Sequence, residues 1–79
     1  MTIELQWFSI LREQVGVDRE MVEFEGGCAG DLYERLAILH GFALPVRSLR
    51  VAINDMFAEW DFPLSHGDRV VYIAPVGGG

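Results

Sequence analysis

The chain contains no lysine and one cysteine among its 79 residues, and each scarcity closes off a class of chemistry. All six basic residues are arginine. With no ε-amine to act as acceptor, copies of this chain cannot be joined to one another through lysine side chains. Cys28 has no cysteine partner, so no intramolecular disulfide can form; a lone thiol suits a reducing cytoplasm, where the chain is expected to reside. His40, His66 and Cys28 stand far apart in sequence, which argues against a metal centre. The opening Met1, Thr2, Ile3 and Glu4 have neither the basic nor the apolar region of a secretion signal, and no apolar run is long enough to span a bilayer. Gly26 and Gly27 lack the further glycines or the lysine that a phosphate-cradling turn requires. No bound cofactor and no membrane partner are expected.

What is present is a small acidic domain. Seventy-nine residues make one domain, near the size at which a single core is marginal and disulfides or metals are often recruited. Twelve acidic residues against six basic ones give a formal net charge of −6. Such a surface repels phosphates, so no nucleic acid is expected as a partner. A protein with a basic docking face is the better match.

The apolar pattern alternates between strand and helix periods. Ile3, Leu5 and Trp7 alternate with Glu4 and Gln6 and predict a first strand. Ser9 is expected to cap a short helix, Ile10 to Val15, closed by Gly16. Met21 to Glu25 read as a second strand ended by Gly26 and Gly27. The main helix is expected from about Ala29 to His40, with Cys28 as a weak cap, Asp31 in the first turn, Leu32, Leu36 and Leu39 on one face, and Gly41 as its stop. Ala43 to Ser48 read as irregular around Pro45. Leu49 to Ile53 predict a third strand, Asn54 and Asp55 a turn, and Met56 to Trp60 a short fourth strand. Ser65 to Asp68 turn the chain into a last strand, Arg69 to Ala74. This order predicts an α+β domain with the β-grasp, ubiquitin-like arrangement, a mixed sheet of four to five strands around one main helix.

A single substantial helix can cover only one face of that sheet. Trp7 and Phe8 are adjacent and leave opposite faces; in the last strand Val70 and Tyr72 share one face, Val71 and Ile73 the other. Phe8, Val71 and Ile73, joined by Phe57, are therefore expected on an exposed apolar patch that binds a partner.

The last five residues, Pro75, Val76, Gly77, Gly78 and Gly79, complete the single domain 1–79 as a flexible tail. A glycine run packs against nothing and loses the most backbone entropy on ordering, so the domain gains no stability from it. It is, however, thin enough to thread a narrow channel in another protein, and Ala74 to Gly79 reach at most ~20 Å when extended. Cys28, His40, His66, Asp61 and Asp68 read as capping, turn and strand-end residues rather than as a catalytic constellation. The candidate reactive group is the α-carboxyl of Gly79. A carboxylate resists sulfur and nitrogen nucleophiles until an oxygen becomes a leaving group, commonly through adenylation by ATP on an external enzyme. The domain is then a carrier and not itself the catalyst.

The segments Trp7 to Gly16, Val51 to Asn54, and Pro63 to Val70 with Pro75 to Gly79 closely resemble the small subunits of molybdopterin synthase. The resemblance spans nearly the whole chain. It implies a sulfur carrier whose Gly79 is adenylated by an E1-like enzyme, at the expense of ATP, and thiocarboxylated with sulfur from a persulfide enzyme. It also implies a partner, the large subunit of the synthase, in a heterotetramer. Pro75, Val76, Gly77 and Gly78 would enter that subunit's site, where sulfur passes to cyclic pyranopterin monophosphate in molybdenum cofactor biosynthesis. Gly77 stands where a bulkier residue is common, which raises the entropy lost on insertion. Carriers for thiamine thiazole or tRNA thiolation, and ubiquitin-like protein modifiers, share the fold and the tail.

Overall fold

The computed structural model describes residues 1–74, whose elements follow in the order β1 (Thr2–Gln6), α1 (Ser9–Val15), β2 (Arg19–Glu23), α2 (Ala29–His40), a 3-10 turn (Val46–Ser48), β3 (Arg50–Ile53), β4 (Met56–Ala58) and β5 (Arg69–Ile73). The five strands form one sheet in the order β2-β1-β5-β3-β4. β1 and β5 are parallel, and every other neighbouring pair is antiparallel. This is the expected β-grasp, with the last strand inserted at the centre of the sheet.

Alternation along the strands builds the core. Ile3, Leu5, Val51, Ile53, Val70 and Tyr72 turn inward and are buried with Ala29, Leu32, Tyr33 and Leu36 of α2. Trp7 completes this cluster one residue beyond β1, where its N–H donates to the Asp18 carbonyl at 2.7 Å. An aromatic group joins helix to sheet: Trp60 lies parallel to Tyr72 with centroids 5.9 Å apart, and Tyr33 meets Tyr72 edge-on at 5.1 Å. Both tyrosine hydroxyls are satisfied, Tyr72 donating to the Ala29 carbonyl at 2.9 Å and Tyr33 to that of Leu44 at 2.7 Å. Burial pushes both phenols above their ordinary range, most strongly at Tyr72.

α2 has the bounds read from the sequence, but its buried stripe differs. Leu39 is exposed, because the inward stripe runs through 29, 32, 33 and 36 and continues on the partly buried Ala37 and His40. Ser9 does not cap α1. It is the first helical residue, with φ of 51°, and the cap position belongs to Phe8, whose extended backbone prolongs β1. β2 begins and ends two residues earlier than expected because pairing with β1 matches Gln6 to Arg19 and Thr2 to Glu23, leaving Phe24 to enter the core. Leu49 closes the 3-10 turn instead of opening β3, its N–H donating to the Val46 carbonyl. β4 stops at Ala58 while Trp60 turns back onto the core, and β5 stops at Ile73.

Candidate docking face and tail root

β5 is held on both sides, by β1 through Gln6↔Val71 and by β3 through Ala52↔Val71 and Arg50↔Ile73. The strand leading toward the tail is thus hydrogen-bonded along both edges at the centre of the sheet. Its far end is tied as well: Asn54 Nδ2 donates to Asp68 at 3.0 Å, the Arg69 N–H donates to Asn54 Oδ1 at 2.9 Å, and the Arg69 guanidinium pairs with Asp55. Asn54 and Asp55 both have positive φ, the conformation a two-residue hairpin turn demands.

The face of the sheet turned away from α2 carries Val71, Ala52 and Phe57 side by side, since Val71 pairs with Ala52 and Ala52 with Phe57. Phe57 is 69% exposed, Ile73 36% and Phe8 48%, while Val71 is half-buried between its neighbours. Carrying the parallel register of β1 and β5 two residues further sets Phe8 level with Ile73. The patch therefore lies at the end of the sheet where β5 finishes and Ala74 follows. Pro75, Val76, Gly77, Gly78 and the expected reactive group, Gly79, lie outside the described residues.

The patch also contains a charged residue that was not among the apolar candidates. Arg50 is exposed on the same face, opposite Ile73, with its guanidinium carbon 5.9 Å from the centroid of the Phe57 ring. With Arg47, Phe57, Glu59 and Trp60 it lines a groove of about 520 Å³ beside β3 and β4. The alternation of Arg50 with Val51 was the available signal, because it puts the arginine outward whenever Val51 is inward.

Other chemically capable side chains are engaged in structural contacts. Cys28 is at the N-cap of α2, where its N–H and its thiol both donate to Asp31 Oδ2, at 3.0 and 3.2 Å. The Cys28 N–H, followed by the thiol, holds the Asp31 carboxyl below its ordinary range. His40 stacks on Phe42, and His66 Nδ1 accepts the Thr2 N–H at the end of the sheet opposite the patch. Among the described residues no group of histidine, cysteine and carboxylate side chains could hold a metal, and no helix is long and apolar enough to cross a membrane.

These features match known proteins. The sulfur carrier subunit of molybdopterin synthase from Escherichia coli (strain K12) is 31% identical over 80 residues, covering 98% of this chain and 99% of the relative. Among solved structures, SAMP1 from Haloferax volcanii superimposes with a TM-score of 0.80 at 26% identity over the whole of both chains. A putative molybdopterin converting factor, subunit 1, from Pyrococcus furiosus does so with 0.78 at 27% identity, over 95% of this chain and 98% of its own. The ThiS family model matches residues 5–79, so the match runs from within β1 to the end of the glycine tail. The chain belongs to the ThiS family.

Proposed function

We propose that the chain is the sulfur carrier subunit of a molybdopterin synthase. The observation that carries this reading is near-complete alignment with the Escherichia coli carrier, on a chain whose apolar patch lies at the root of a glycine tail. The Gly79 carboxylate attacks the α-phosphate of ATP on an E1-like enzyme, releasing pyrophosphate and forming an acyl-adenylate. The terminal sulfur of a protein persulfide then displaces AMP to form an acyl disulfide, and a second thiol attacks the persulfide protein's sulfur in that bond, releasing the thiocarboxylate and leaving a disulfide behind. Phe8, Phe57, Val71 and Ile73 seat the domain on the large synthase subunit, while Pro75 to Gly78 carry the sulfur to cyclic pyranopterin monophosphate. The chain contributes the sulfur donor, and the partners contribute the catalytic groups.

Protein from its native cell is expected to contain a species about 16 Da heavier than the chain, one oxygen replaced by sulfur. Absence of that species, in cells actively making the cofactor, removes the carrier reading. The likeness to SAMP1 supports a second reading, a protein modifier, which predicts amide-linked conjugates on lysines of other proteins.

A further inference from the structure

We infer that Arg50 is a specificity-determining residue of the docking face, and that the partner covering this face presents a carboxylate to it. The inference rests on the docking reading above and names the chemistry of the partner's surface. Arg50 cannot be left aside by anything that covers the patch. It is matched to Ile73 across β3 and β5, stands two residues from Ala52 on the same face, and lies over the Phe57 ring. A partner that removes Val71, Ala52, Phe57 and Ile73 from water removes much of the water from this guanidinium as well.

Desolvating a guanidinium is costly unless a partner group accepts its hydrogen bonds, and a carboxylate does so with a bidentate fit. This chain does not provide one: among the described residues no carboxylate comes within 4.0 Å of Arg50, the ion pairs being Met1 with Glu23, Arg12 with Asp18, and Arg69 with Asp55. Glu59 lines the same groove without reaching it. The wider surroundings point the same way. At the tail end of the sheet the outward residues of β2 and β3 are Arg19 and Arg50, and exposed Arg47 stands just before β3. The net charge of −6 therefore describes the molecule and not this face. An aromatic-stacked arginine amid apolar neighbours has the composition of a binding hot spot.

The test measures affinity of purified variants for the large synthase subunit of the same organism, across a range of salt, with thermal melting as a check on folding. Arg50→Leu is expected to weaken binding roughly tenfold and flatten its salt dependence, and Arg50→Glu to weaken it about 100-fold. An aspartate or glutamate on the large subunit, changed to arginine, is expected to restore binding of the Arg50→Glu variant. Phe57→Ala separates the two layers of the reading. If Phe57→Ala weakens binding while Arg50→Leu matches the parent in affinity and salt response, the arginine assignment is wrong and the docking face stands. If folded Phe57→Ala binds as the parent does, the docking face is elsewhere and the assignment of Arg50 falls with it.

Discussion

Asp31 supplies what Cys28 lacks as a cap. A thiol is a weak partner for the first turn of a helix, and the carboxylate three residues on compensates by accepting the Cys28 N–H at 3.0 Å. Because the folded state holds Asp31 below its ordinary value of 3.8, its contribution is fully present above that pH and is lost as acid protonates it below 3.8. Asp31→Ala is therefore expected to lower the urea midpoint at neutral pH, with the gap to the parent closing well below pH 3.8. A constant gap across that range would assign the effect to something other than the carboxylate. Tyr72 is the corresponding polar group inside the core. Its hydroxyl bond to the Ala29 carbonyl links β5 to the first turn of α2, and Tyr72→Phe should cost about 1 kcal/mol in denaturant unfolding without changing the fold.

At the scale of elements, α2 covers the sheet with one stripe of side chains, and the edges of that stripe decide what each leucine does. Leu36 is 3% exposed and Leu39 is 72% exposed, although both lie on the face that helical spacing selects. Leu36→Ala is expected to destabilise by ~2–5 kcal/mol, while Leu39→Ala should fall within about 0.5 kcal/mol of the parent. Equal losses at the two positions would mean that Leu39 is covered in solution. The turns obey tighter local rules. Gly41 closes α2 with φ of 72°, a conformation an L-residue adopts at a cost, so Gly41→Ala should lower stability by roughly 1 kcal/mol even though nothing stands within 4 Å of the added carbon.

For the whole molecule, the face that carries stability and the proposed docking face are opposite sides of one sheet. The inward residues between the sheet and α2 hold the fold, and the outward Phe8, Phe57 and Ile73 contribute little to it. Phe57→Ala should leave the melting temperature nearly unchanged while costing ~2 kcal/mol or more in affinity for the large subunit. Phe8→Ala and Ile73→Ala should behave alike, and collapse of stability with unchanged affinity of the folded fraction would assign them to the core instead. The tail gives the complementary case. Deleting Gly79, or adding one residue beyond it, is expected to abolish sulfur transfer with the melting curve intact. Normal transfer by an extended protein shown to keep its extra residue would exclude the terminal carboxyl as the reactive group.

Local signals alone determined the bounds of α2, the Asn54 and Asp55 turn and the strand and helix order, because capping, helical period and turn preference act within about four residues. The same locality explains what could not be read in advance. Strand ends depend on hydrogen-bonding partners distant in the chain: β2 ends at Glu23 because Thr2 lies opposite, and Trp60 leaves the fourth strand to stack on Tyr72. The apolar members of the candidate face were legible because each alternates with an inward neighbour. The place of Arg50 was not. Only the insertion of β5 between β1 and β3 puts that arginine opposite Ile73, and only the turn at Asn54 and Asp55 folds Phe57 back beneath its guanidinium. Long-range register, a property of the packed sheet, turned an isolated cation in the sequence into part of a surface.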